Sequence, residues 1–182
     1  PSTTLHATPL MADWIAAHVV KPLLVGPDAE SEQWVATIAD RICAPHVVLG
    51  KVRHGDRDVD VDVPDLSAWA DHTPVLVDDI ASSGRTLAVA ARGLIARGLP
   101  KPECVVVHAL YGDTVAAELA PLFARITSTN AAPHPSNGID LAPLIAAAIR
   151  DGLQDPPLPE GAPAPLTWGG KLGVVTPAGD AA

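Results

Sequence analysis

Cysteine is scarce in this sequence, and the scarcity excludes two architectures at once. Cys43 and Cys104 are the only two in 182 residues, too few and too far apart for a disulfide framework or a zinc site. Each stands in an otherwise apolar stretch, so both read as small buried hydrophobes. Cations are also few: 12 Lys and Arg against 21 Asp and Glu give a formal net charge of −9 and a pI near 5.0. That balance argues against a nucleic-acid surface, which needs clustered Lys and Arg. Anionic small molecules stay open, because a local site binds phosphate on backbone N–H groups and a few cations despite a negative total. Long hydrophobic runs are absent as well. The hydrophobic fraction is 48% and the mean hydropathy +0.23, but Ala, Val and Leu carry them in short stretches, and none approaches the roughly 20 residues of a membrane span. No charged segment followed by an apolar core opens the chain, so a cytoplasmic location is expected. There is no internal repeat.

What is present is an alternation of apolar periods. The length suffices for one domain with a full core, which we place at residues 1–150. Residues 151–182 are rich in Pro, Gly and Ala, carry no period as far as residue 165, and read as a linker or tail. Within 1–150, helical spacing marks 11–19, 30–43 (Trp34, Ile38 and Ile42 on one stripe), 86–97 (Leu87, Ala91, Leu94 and Ile95 inward, Gly98 as the stop), 113–122 and 142–150 (Leu144, Ile145, Ala148 and Ile149 inward). Short apolar runs at 22–26, 46–49, 74–77, 104–109 and 125–129 read as buried strands. Between 59 and 63, valines alternate with aspartates Asp58, Asp60 and Asp62, the period of a strand with one wet face. This carboxylate row reads as a solvated face that protects a sheet edge rather than as a metal site. Strands alternating with helices predict an α/β fold with a mainly parallel sheet covered by helices on both faces.

In such sheets ligands bind outside the carboxyl ends of the strands. The segment Val77-Asp78-Asp79-Ile80-Ala81-Ser82-Ser83-Gly84-Arg85-Thr86 places two carboxylates at such an end. Ser82, Ser83, Gly84 and Thr86 are what a phosphate cradle requires: small residues that let backbone N–H groups point at oxygens, hydroxyl donors, and a helix start with its positive dipole end. Asp78 and Asp79 suit the hydroxyls of a ribose, or waters on Mg²⁺. The competing reading makes Asp a helix cap and the Ser and Gly residues a plain turn.

The same segment resembles the PRPP motif of type I phosphoribosyltransferases and of ribose-phosphate diphosphokinase (PRPP synthetase), D-D-(M/I)-x-D-T-G-G-T. Further stretches are similar to the second half of the diphosphokinases: Leu5-His6-Ala7-Thr8-Pro9 leading to Trp14-Ile15, Gly26-Pro27-Asp28-Ala29 as the pyrophosphate loop, and Lys51-x-Arg53 at the catalytic flexible loop. So are Thr129-Asn130 with Pro133, and Ala142-Pro143-Leu144-Ile145-Ala146. The resemblance implies a type I phosphoribosyltransferase-like fold and transfer of the β,γ-diphosphoryl group of ATP to ribose 5-phosphate, with Mg²⁺ as cofactor. It implies that Ser82, Ser83, Gly84, Arg85 and Thr86 lie around the 5-phosphate, that Asp78 and Asp79 contact the ribose, that Asp28 helps hold Mg²⁺, and that Lys51 and Arg53 are catalytic, spreading the charge of the transferred group. A solvated loop is the alternative for Lys51 and Arg53, and a turn after Pro27 for Asp28. His108 and other single histidines read as packing or hydrogen-bonding groups.

Three features depart from the motif. Ser82 stands where the diphosphokinases have Asp, Arg85 where they have Gly, and Glu30-Ser31 where they have Gly-Gly. The family's first half, with its adenine site, has no counterpart in these 182 residues. The expected partners are therefore ribose 5-phosphate, ATP and PRPP, with a homo-oligomer or an N-terminal half completing the site, and neither nucleic acid nor membrane. Three functions compete: a diphosphokinase-like half, a phosphoribosyltransferase that uses PRPP on a base, and a non-catalytic regulatory relative.

Overall fold

A computed structural model describes residues 4–54 and 58–152, with the backbone alone for those of residues 51–60 that it describes. Helix α1 (Thr8–His18) carries Pro9 in its first turn, where a missing N–H costs nothing. Strand β1 (Pro22–Gly26) follows, and the chain then crosses through a 3₁₀ turn (Ala29–Ser31) into α2 (Glu32–Ile42) and back to β2 (His46–Val48). Next comes an antiparallel pair, β3 (Gly50–His54) and β4 (Asp58–Asp62), and a second 3₁₀ turn (Ser67–Trp69). From there β5 (Thr73–Ala81), α3 (Arg85–Ala96), β6 (Glu103–Ala109), α4 (Asp113–Leu119), β7 (Arg125–Thr129), β8 (Asn137–Ile139) and α5 (Ala142–Gly152) complete the order.

Six strands form one parallel sheet in the order β2-β1-β5-β6-β7-β8. The runs Leu23-Leu24-Val25, Val75-Leu76-Val77 and Cys104-Val105-Val106 at its centre are wholly or almost wholly buried, as strands covered on both faces must be. On one face, Met11 and Ile15 of α1 and Val35 and Ile38 of α2 pack over Leu24, Val75 and Val105. On the other, Leu87, Ala91 and Leu94 of α3 and Leu119 of α4 join Val63 and Leu66 over Leu23, Val25, Leu76 and Val106. This is the α/β architecture expected of the type I phosphoribosyltransferase fold. No helix among the described residues is long and apolar enough to cross a membrane.

Several expectations are corrected. Cys43 is exposed, because it ends α2 in the left-handed region (φ 53°) and turns its thiol outward; Cys104 alone is buried. The buried stripe of α2 is Val35, Ile38 and Ala39, leaving Trp34 and Ile42 at its margins. Ile95 of α3 and Ile145 and Ile149 of α5 stay 37%, 45% and 56% exposed, so α5 does not bury the face its spacing suggested. The 58–62 strand pairs with β3 in its own two-stranded sheet and does not edge the main one. Helix α4 ends at Leu119, before Pro121. The 151–182 tail lies beyond the described residues, apart from the last turn of α5.

Candidate functional site

The strand order creates a crevice. From β1 the chain moves outward to β2, then returns past β1 to β5 and proceeds through β6, β7 and β8 in the other direction. Helices α2 and α3 therefore leave the neighbouring strands β1 and β5 on opposite faces, and the space between the two strand ends stays open, the place where parallel sheets bind ligands.

Strand β5 outruns its neighbour. Its register with β1 stops at Leu76 opposite Val25, while its register with β6 continues through Asp78 opposite Val106 to Ala81 opposite Ala109. Asp78 and Asp79 thus lie within the strand, not at its end as the sequence suggested, and one flank of this extension faces the crevice. Asp78 is half-buried and its Oδ1 accepts the N–H of Asp79 at 3.0 Å. Burial pushes its carboxyl up to about 7; the Asp79 N–H opposes this, and the neighbouring carboxylates of Asp79 and Asp28 add to it.

Residues 82–84 turn the chain from β5 into α3. Gly84 has φ +68°, and a Cβ there would lie 2.8 Å from Val115 Cγ1 and 3.2 Å from Leu119 Cδ1, so both conformation and space demand glycine. Its carbonyl accepts the Ala88 N–H at 2.8 Å and starts the helix, and no side chain caps that helix from the N-cap position. Ser82, Ser83 and Arg85 are exposed and Thr86 half-buried, with Ser83 Oγ 3.5 Å from the Arg85 N–H. Hydroxyls and the N-terminal dipole end of α3 therefore meet beside two carboxylates.

Across the crevice stands the turn after β1. Asp28 accepts the Glu30 N–H at 3.1 Å, and the buried Ser31 hydroxyl takes the Asp28 N–H at 3.4 Å and donates to the Asp28 carbonyl. This reciprocal cap was not read from the sequence, although the spacing of Asp28 and Ser31 resembles a capping box. Between the two turns lies a cleft of roughly 430 Å³ that gathers Asp28, Glu30 and Ser31 from one side and Asp78, Asp79 and Thr86 from the other. A second cavity of about 250 Å³ adjoins it at Asp78 to Ile80, walled by His6, Met11, Trp34, Val107 and His108.

Of the expected site residues, the structure joins Asp28, Asp78, Asp79 and Thr86 in one cleft and sets Ser82, Ser83, Gly84 and Arg85 in the adjacent turn. Lys51 and Arg53 occupy β3, opposite Val61 and Val59, where a loop was expected; their side chains lie outside the described residues. His108 lies in β6 opposite Ile80 and forms part of a cavity wall. Among the described residues no three His, Cys, Asp or Glu side chains cluster closely enough to hold a metal by themselves. The donor set still suits Mg²⁺, which takes one or two carboxylates and completes its shell with water and substrate phosphate. Asp28, Asp78 and Asp79 line that one cleft together.

Residues 7–129 match the model of the phosphoribosyl transferase domain. The fold is similar to that of phosphoribosylpyrophosphate synthetase from Mycobacterium smegmatis (TM-score 0.68, 24% identity), over 81% of this chain and 51% of that one. It is also similar to an adenine phosphoribosyltransferase (APRTase) from Giardia lamblia complexed with 9-deazaadenine (TM-score 0.56, 16% identity, 67% and 77% covered). Orotate phosphoribosyltransferase from Aeropyrum pernix is a further likeness (TM-score 0.51, 22% identity, 67% of each chain). The chain spans about half the length of the synthetase it matches.

Proposed function

We propose that this chain, which belongs to the phosphoribosyl transferase domain family, binds ribose 5-phosphate as the sugar-phosphate half of a ribose-phosphate diphosphokinase. The observation that carries the reading is the turn at Gly84, which sets hydroxyls and the start of α3 directly after the Asp78-Asp79 pair. In this reading the 5-phosphate sits on Ser82, Ser83 and Thr86 and the backbone N–H groups that open α3, with the Arg85 guanidinium alongside. Asp79 and Asp78 accept from the ribose hydroxyls, which points the anomeric hydroxyl along the cleft toward Asp28. That hydroxyl attacks the β-phosphorus of ATP; the new bond joins O1 to Pβ, the bond from Pβ to the α,β-bridging oxygen breaks, the hydroxyl proton is lost, and AMP leaves. Lys51 and Arg53 spread the charge of the moving group, the electrostatic part that dominates phosphoryl transfer. Asp28, with Asp78 or Asp79, would hold Mg²⁺, which supplies charge neutralisation to the diphosphate when bound.

The synthetase likeness reaches over more of this chain than the base-specific transferases do, 81% against 67%. The test is AMP release from ATP and ribose 5-phosphate with Mg²⁺, using the chain alone and joined to the N-terminal half of a diphosphokinase. AMP that appears with the added half supports the proposal; none in either case contradicts it. A second reading, transfer of the phosphoribosyl group of PRPP to a base, is favoured by the cavity beside Asp78 to Ile80, with Trp34 and His6 in its wall. Pyrophosphate release from PRPP in the presence of a panel of purines and pyrimidines tests it.

A further inference from the structure

We infer that residues 166–175 of this chain dock on the outer side of α5, with Trp168 packed against Ile145 and Ile149. The inference stands apart from the ribose 5-phosphate reading. Helix α5 is apolar at every position from Ala142 to Ile149, and its charged residues, Arg150 and Asp151, stand in its last turn. Leu144, Ala147 and Ala148 are half-buried toward the body of the protein. Ala142, Ile145, Ala146 and Ile149 are exposed, and their offsets of three, four and seven positions set them on one outward stripe. A helix that is apolar on both sides belongs between two layers. The body supplies one of them.

The chain itself supplies the second. Residues 153–182 continue directly from α5, and five prolines among 153–165 give that stretch the composition of a spacer. At about 3.1 Å per residue a proline-rich spacer of 13 residues reaches roughly 40 Å, against about 16 Å for the 11 residues of α5, so the whole outer stripe is within its range. Beyond the spacer, 166–175 gather Leu166, Trp168, Leu172, Val174 and Val175 with a single charge, Lys171. No other stretch of 153–182 collects as many large apolar side chains. A segment tethered in this way meets the helix at an effective concentration in the mM range. A second copy of the chain at micromolar concentration arrives with a further net charge of −9, so the tethered segment is the favoured occupant.

Thiol labelling of the full chain, followed by mass spectrometry of the modified peptides, tests the docking. Ala146→Cys places a thiol on the outer stripe and keeps both isoleucines, while the exposed Cys43 serves as an internal reference for an intact fold. The introduced thiol is expected to react at least about tenfold more slowly than it does when Trp168→Ala and Leu172→Ala are added, the scale of covering one position with a few apolar side chains. Ile149→Lys, at an exposed position of the same stripe, should release it equally, and the rate should not depend on protein concentration. Cys43 should react alike in every variant. Equal rates with and without the tail substitutions overturn the inference, as does protection that Trp168→Ala and Leu172→Ala leave untouched. Protection that disappears on dilution assigns the stripe to a second copy and overturns it too.

Discussion

Asp78 sits half-buried in β5 with Asp79 beside it and Asp28 across the cleft, and its carboxyl is raised from the ordinary 3.8 to about 7. Between these values the unfolded chain has released the proton that the folded chain keeps, so stability falls as pH rises through that window and levels off above about 7. Asp78→Asn keeps the acceptor for the Asp79 N–H and removes the charge. Urea midpoints across the window are expected to flatten, with the variant more stable than wild type above pH 7; parallel curves would contradict the assignment. Gly84→Ala forces both a left-handed alanine and an overlap with Val115, and is expected to cost about 2–4 kcal/mol in urea unfolding. Cys43 is exposed while Cys104 is buried with its thiol pushed up by burial, so a thiol reagent should modify one cysteine in the native protein and two after denaturation. Sequence alone told these cysteines apart poorly, because Cys43's exposure follows from a helix end in positive φ. The need for glycine at Gly84 was legible in the motif, but its contact with α4 was not, since packing of α4 on α3's N-terminus is tertiary.

At the scale of elements, runs of valine and leucine announced the central strands, and β1, β6 and β7 fall within one residue of their sequence pattern. Strand β5 was read four residues short at its C-terminus because Asp78 and Asp79 resemble a loop; they stay in the strand because β6 continues to pair with Asp78, Ile80 and Ala81 after β1 has ended. Strand β3 was missed because Lys51 and Arg53 break an apolar run, and β8 because Asn137 and Gly138 have low strand propensity. Helix α5 carried an amphipathic pattern whose apolar side is largely exposed among the described residues. The cap between Asp28 and Ser31 is an element-level device of the same kind. Ser31→Ala removes the hydroxyl that bridges the turn and is expected to cost about 1 kcal/mol, checked by the urea midpoint; an unchanged midpoint would show that the turn holds without it.

For the whole molecule, the decisive feature is the reversal of strand order between β1 and β5. Period alone gave alternating strands and helices, but not which strands are neighbours; that order is set by which helices share a face, α1 and α2 on one and α3 and α4 on the other. Once it is known, the motif at Asp78 to Thr86 and the turn at Asp28 become two walls of one cleft. The central claim, that this cleft is a ribose 5-phosphate site, is tested most directly by titrating ribose 5-phosphate into the wild-type chain and into Asp79→Ala. Asp79 is exposed on the cleft wall, so its loss should leave the fold intact. Saturable binding that weakens at least about tenfold in the variant is the predicted result; equal affinity in the two proteins would remove this strand and its turn from the site.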